Sequence, residues 1–194
     1  EVGVVSDLAY GALGYQGYEN PSFLSTPGAK DVGIEFYTFS KTFNMAGWRL
    51  AFAAGNDQMI EALNLIQDHL FVGIFPALQE AGIAALLDPK SEEVVAQLNA
   101  TYDSRRDAFV QAAAKIGWQA FPSRGSFYAW MPVPEGYTSE SFADLLLEKV
   151  HVAVAPGKGF GPAGDAYVRI GLLVEPERLV EAVDRIANLH LFNN

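Results

Sequence analysis

Four short segments carry side chains whose types and spacing could do chemistry. Asp7-Leu8-Ala9-Tyr10 follows the apolar run 2–5, and Thr38-Phe39-Ser40-Lys41 closes the strand-like run that begins at Gly33. Gly47-Trp48-Arg49 comes next, with Arg49 eight positions after Lys41. Arg169 stands alone among apolar residues in Tyr167-Val168-Arg169-Ile170. In an open α/β sheet, ligands collect beyond the carboxyl ends of strands, which is where Asp7 and Lys41 are expected. A lysine at such a place forms a Schiff base with a carbonyl when its amine is partly desolvated. A nearby carboxylate keeps a pyridine nitrogen protonated, so that the ring withdraws electrons. Thr38 offers a hydroxyl and Arg49 a planar cationic fork, both suited to phosphate, and Arg169 is suited to clamping a carboxylate through two parallel hydrogen bonds.

Taken singly, each of these residues has a plainer reading. A strand-end Asp is usually a turn or cap residue, a lysine a solvated charge, and an arginine in a strand the partner of a structural acid. Their order and spacing set them apart, together with the elements that must position them. The reading expects strands at 2–6, 33–39 and 50–54, the first a buried one, separated by a Gly-, Pro-, Ser- and Tyr-rich loop at 11–31. Apolar residues at helical spacing predict helices over 57–70, 76–87 and from Ser91 to about Gly117. Paired strands are expected at 118–121 and 126–130, a capped helix at 139–149, strands at 150–155 and 167–172, and a closing helix over 176–191. The fold class read from this order is α/β. Residues 1–95 form part of an open, mostly parallel sheet domain, and residues 96–194 a small α+β domain.

Composition bounds the function. Half of the 194 residues are hydrophobic and 19% are charged, which supports a sizeable core. A net charge of −10 repels phosphate backbones, so no nucleic-acid partner is expected, although one local basic pocket is compatible with it. Cysteine is absent, which removes disulfides, thiolate nucleophiles and cysteine metal sites and fits a cytoplasmic location. No apolar run has the length of a membrane span, so no membrane partner is expected. A sequence that opens inside a strand is expected to be a portion of something longer.

The segment Ser40-Lys41-Thr42-Phe43-Asn44-Met45-Ala46-Gly47-Trp48-Arg49-Leu50 resembles the cofactor-lysine signature of class I/II aminotransferases, the fold-type I pyridoxal-phosphate enzymes. Asp7-Leu8-Ala9-Tyr10 is similar to that family's upstream Asp-x-Ala-Tyr motif, 34 residues before the lysine. The stretch from Gly159-Phe160-Gly161 to Tyr167-Val168-Arg169-Ile170 resembles the family's C-terminal substrate-arginine segment. The resemblance runs over essentially the whole sequence. It implies pyridoxal 5'-phosphate as cofactor, amino acids and 2-oxo acids as substrates, and a homodimer. Lys41 would form the Schiff base and move the proton, Asp7 would pair with the pyridinium nitrogen, and Tyr10 would bond the phenolic oxygen. Thr38 and Arg49 would hold the phosphate, with Thr38 standing where many relatives have serine. Arg169 would bind the substrate carboxylate.

Relatives carry further parts ahead of the aspartate strand: a phosphate-holding loop, a stacking aromatic and an asparagine at the phenolic oxygen. None is assigned in this sequence, so the chain alone is expected not to form a competent site. Transamination is the leading reading. A carbon–sulfur lyase of the same fold, or a non-catalytic fragment or dimerisation module, are the alternatives.

Lesser signals reduce to structure. Gly157-Lys158-Gly159-Phe160-Gly161 looks like a phosphate loop but leads into Pro162 rather than a helix, and reads as a flexible segment near the substrate mouth. His69, His151 and His190 have no metal-ligand spacing. The apolar stretch 71–76 reads either as a buried connector or, by resemblance, as part of a subunit interface.

Overall fold

Short apolar runs closed by Asp, Thr and Gly become the strands of the first half, in a computed structural model that describes residues 2–121 and 123–192. The chain divides inside its longest helix into two units, Glu1–Asn99 and Ala100–Asn194. In the first unit, β1 (Val4–Asp7) lies parallel to β2 (Gly33–Thr38), with Asp7 beside Phe36. β2 lies antiparallel to β3 (Ala51–Gly55), with Thr38 beside Ala51. The sheet within this chain is therefore mixed, in the order β1-β2-β3.

The expectation of a buried first strand is corrected. Val2 is 84% and Val5 63% exposed, because β1 is the sheet's edge and its outer face meets no described element. The 11–31 loop contains a 3-10 turn at Phe23–Ser25 and a short helix, α1 (Ala29–Val32). A buried carboxylate ties it down. Glu35 accepts hydrogen bonds from Ser22 Oγ at 2.6 Å, Ser6 Oγ at 3.0 Å and the Phe23 N–H at 2.7 Å.

β2 ends one residue earlier than expected, because Thr38 caps a single helical turn, α2 (Phe39–Thr42). α3 (Asp57–Leu70) starts on Asn56, whose side chain accepts from the Met59 N–H, a standard N-cap for the first orphan donors. It stops where Val72 and Gly73 turn to positive φ. α4 (Pro76–Leu87) has proline in its first turn, where a missing N–H costs nothing. α5 (Ser91–Lys115) carries Glu92 and Glu93 in its first turn and Lys115 in its last, matching the helix dipole at both ends.

The second unit is built on an antiparallel sheet in the order β4-β6-β5, from Tyr128–Pro132, Tyr167–Gly171 and Ala155–Pro156. Strand alternation sorts its side chains. Ala129, Met131, Val168 and Ile170 face a core shared with Phe109, Trp118, Phe142 and Leu146 of α5, the turn after it, and α6 (Ser139–Val150). The remaining positions, Tyr128, Trp130, Tyr167 and Arg169, are only partly buried. α7 (Pro176–Ala187) closes the core through Leu179, Val183 and Ile186, one buried stripe at helical spacing.

Of the strands expected in this unit, the one at 118–121 is absent and the one at 150–155 is reduced to Ala155–Pro156. Residues 118–121 form none, because Gly117 at φ +83° ends α5 and Trp118 turns inward, 1% exposed, its Nε1 donating to the Pro132 carbonyl at 2.7 Å. Among the described residues of this segment, the Phe121 N–H is the backbone donor that bonds to β4, at Trp130 O. Over 150–155, the backbone is committed to the end of α6. His151 adopts φ +57° and the Val152 N–H bonds back to Leu146 O, so pairing with β6 waits until Ala155.

Candidate active site

The carboxyl ends of β1 and β2, with the turn after α2, enclose a cavity of about 510 Å³. Asp7, Thr38, Lys41 and Arg49 all line it, alongside Val5, Ala9, Phe36, Tyr37, Ser40, Ala46 and Ala51. Parallel pairing of β1 with β2 brings Asp7 level with Phe36. That register places the acid and the α2 turn at the same end of the sheet, where this kind of fold holds ligands.

Thr38 does two jobs at the turn. Its Oγ1 accepts from the Ser40 N–H at 3.1 Å and donates to Ser40 Oγ at 2.9 Å. The capped turn carries Lys41, half-buried, between buried Ser40 and buried Thr42. Thr42 is 1% exposed and shares a 2.7 Å hydrogen bond with the Tyr37 phenol. The Tyr37 ring in turn packs on Phe52 of β3, centroids 5.3 Å apart. The turn bearing the lysine is thus fixed from both sides.

Arg49 has a left-handed backbone, φ +53° and ψ +45°. A non-glycine residue there costs roughly 1–2 kcal/mol, a strain of the kind that gathers at functional sites. Its Nη1 donates to the Ala46 carbonyl at 2.9 Å, which orients the guanidinium along the 46–48 turn. The charged groups lining the cavity are two cations, Lys41 and Arg49, and one anion, Asp7. An acidic protein therefore keeps a locally positive pocket, with an amine, a hydroxyl and a planar fork inside it.

Tyr10 lies beyond β1 in a turn whose carbonyl accepts from Asn20 Nδ2, and it is not among the cavity-lining residues. Arg169 belongs to the second unit. It sits on β6 opposite Trp130, and its guanidinium carbon lies 4.1 Å from the Tyr128 ring centroid and 4.2 Å from that of Phe160. No salt bridge to Arg169 occurs among the described residues. The sequence reading passed over Ser40 and Tyr37 as cavity residues. Ser40 was visible beside the lysine, whereas Tyr37 needed the β2–β3 register to place it. No group of acids and histidines able to hold a metal occurs among the described residues.

The segment 157–161, expected to be flexible, is a 3-10 turn (Gly157–Phe160) anchored at several points. Asp165 Oδ1 accepts from both the Ser139 hydroxyl at 2.8 Å and the Ser139 N–H, and Ser139 Oγ accepts from the Lys158 N–H. Gly157 and Gly164 pass so closely that a Cβ on either would run into the other's carbonyl oxygen. Glu140 bonds Lys158 at 2.6 Å and holds its ammonium above the ordinary lysine range.

This site and fold define a class. The chain belongs to the class I and II aminotransferases, whose family model matches residues 1–186. It is 59% identical over 97% of its length to an L-glutamine–4-(methylsulfanyl)-2-oxobutanoate aminotransferase of Bacillus subtilis, covering 47% of that protein. It is 47% identical over 94% of its length to an LL-diaminopimelate aminotransferase of Moorella thermoacetica, covering 46% of it. Among solved structures, apo BacF from Bacillus subtilis superposes with a TM-score of 0.93 at 44% identity, over 99% of this chain and 49% of that one. An aromatic aminotransferase from Pyrococcus horikoshii gives a TM-score of 0.92 at 34% identity, over 96% of this chain and 50% of that one. The chain spans about half the length of the relatives it matches. The family's cofactor is pyridoxal 5'-phosphate, an aldehyde bearing a ring nitrogen and a phosphate. The amine, carboxylate, hydroxyl and guanidinium that line one cavity fit it.

Proposed function

We propose that the protein containing this chain transfers the amino group of an amino acid to a 2-oxo acid. The observation that carries this reading is the convergence of Lys41, Asp7, Thr38 and Arg49 on one cavity. The bound cofactor supplies an aldehyde that condenses with amines and a ring that accepts electrons. Lys41 Nζ would anchor it and, once freed by substrate, would take the proton from the substrate's α-carbon and carry it. Asp7 would hold a proton on the ring nitrogen, and Tyr10, which lies outside the cavity lining, would have to approach to donate to the ring oxygen. Thr38 Oγ1 and the Arg49 fork bind the phosphate, and Arg169 binds the substrate carboxylate.

Further partners follow from the same reading. We infer a homodimer, supported by exposed Leu65, Ile66 and Leu70 on α3 and by exposed Phe71, Val72 and Phe75 after it. Such a band of apolar side chains is the kind of surface another chain or segment covers. No described helix is long and apolar enough to cross a membrane, and a cytoplasmic location is in keeping with that.

The test uses the full-length enzyme with pyridoxal 5'-phosphate. Glutamine with 4-(methylsulfanyl)-2-oxobutanoate is the first pair to assay, and LL-diaminopimelate with a 2-oxo acid the second. Transfer that needs the oxo acid and disappears in Lys41→Ala supports the proposal. Release of a 2-oxo acid from a thioether amino acid with no acceptor added overturns it in favour of a lyase.

A further inference from the structure

Arg169 is an unusual cation. It is half-buried on β6, carries no ion pair among the described residues, and has aromatic rings about 4 Å from its charged carbon. Among the described residues, the ring contacts around it include Trp130 with Phe160 and Phe127 with Tyr128, and none joins Tyr128 to Phe160. Two rings cannot both approach one carbon that closely from the same side without touching each other. Tyr128 and Phe160 therefore flank the guanidinium on different sides. Guanidinium groups stack on aromatic faces in this manner, and the stack leaves the N–H edge as the open direction.

We propose that Tyr128 and Phe160 form an aromatic clamp, a pair of positioning residues that fixes the plane of Arg169 so that its fork meets a substrate carboxylate edge-on. The inference rests on the reading of Arg169 as the carboxylate-binding residue. A free arginine side chain must surrender several rotatable bonds before it can make two parallel hydrogen bonds. A guanidinium already held between rings has surrendered them, so the carboxylate meets a preformed receptor.

The clamp has its own support. Trp130, directly across the ladder from Arg169, meets Phe160 edge-on at 5.8 Å and stacks on Tyr167 at 5.5 Å. Phe160 rides on the turn held by the Gly157–Gly164 crossing and by the Ser139–Asp165 bonds. Phe160 remains 53% exposed, so its removal leaves no buried cavity.

The experiment compares Phe160→Leu, Tyr128→Leu, Tyr128→Phe and Arg169→Gln in the full-length holoenzyme. In Phe160→Leu, KM for the amino acid and for the oxo acid is expected to rise about 3- to 30-fold, with kcat changed by less than about threefold, the span of a partly desolvated cation–π contact. Tyr128→Leu follows it, and Tyr128→Phe, which keeps the ring face, restores KM. An amine that lacks the α-carboxylate reacts in the half-reaction at the same rate in Phe160→Leu as in the parent. A normal KM in Phe160→Leu beside a raised KM in Arg169→Gln overturns the clamp and leaves the role of Arg169 standing. A normal KM in Arg169→Gln overturns both. Equal slowing of the carboxylate-free amine also overturns the clamp, because the ring would then act elsewhere.

Discussion

The hydroxyls of Tyr37 and Thr42 lie 2.7 Å apart, joining β2 to the residue that follows the candidate lysine. Thr42 is 1% exposed, so its hydroxyl has little access to water. Tyr37→Phe removes the partner and leaves a buried polar group less satisfied, at a cost of about 1–3 kcal/mol. Urea unfolding of the full-length protein should show that loss. The double variant Tyr37→Phe/Thr42→Val should recover part of it, since both partners are then apolar. An unchanged midpoint in the single variant would mean the bond contributes nothing.

Arg49 supplies a fork from a strained backbone. Arg49→Lys keeps the charge and the left-handed residue but replaces two coplanar donors with a mobile point charge. Affinity for pyridoxal 5'-phosphate, followed by absorbance titration of the apo full-length enzyme, should fall roughly tenfold or more, the scale of one charge-assisted hydrogen bond. Equal affinity would remove Arg49 from the phosphate site.

Glu35 is a buried acid with three donors and a place in the sheet. Glu35→Gln turns an amide NH₂ toward groups that themselves donate, and should cost about 1–3 kcal/mol in thermal or chemical unfolding. Protease cleavage within 16–25 should quicken in the same variant, because the Phe23–Ser25 turn is tied to the sheet through this carboxylate. Unaltered cleavage would show that the tie is not what holds the loop.

Gly164→Ala places a methyl group against the Gly157 carbonyl, where backbone rather than a flexible side chain must yield. The expected destabilisation is about 1–3 kcal/mol, typical of overpacking. KM should rise as in Phe160→Leu, because the displaced turn carries Phe160. A melting shift with unchanged KM would separate the turn's stability from its role in positioning.

The four cavity groups Asp7, Thr38, Lys41 and Arg49 were legible because each stands at the end of an apolar run or at a fixed offset from one. Local sequence encodes such positions. Ser40 could be read beside the lysine, but Tyr37 became visible as a cavity residue only once the β2–β3 register was in place. The pairing of Tyr128 and Phe160 around Arg169 depends on strand register and on a glycine crossing, both long-range properties. The strand expected at 118–121 is missing and the one expected at 150–155 is reduced to Ala155–Pro156, for a related reason. Their β-forming side chains are overruled by helix-terminal backbone geometry at Gly117 and His151. The exposed Val2 and Val5 show the converse: an apolar run names a strand but not what covers it.

The Thr38 hydroxyl is already engaged on both sides, as acceptor of the Ser40 N–H and donor to Ser40 Oγ. An anion that draws the Thr38 proton therefore competes with Ser40 Oγ and with the more distant Leu50 carbonyl at 3.4 Å, while the Ser40 N–H bond uses only a lone pair of the same oxygen. Ser40 Oγ, released from that bond, is a second hydroxyl at the same cavity, free to rotate toward the newcomer. Two hydroxyls, Thr38 Oγ1 and Ser40 Oγ, thus stand side by side at one cavity, and the N–H bond that caps the turn under Lys41 uses neither hydroxyl proton.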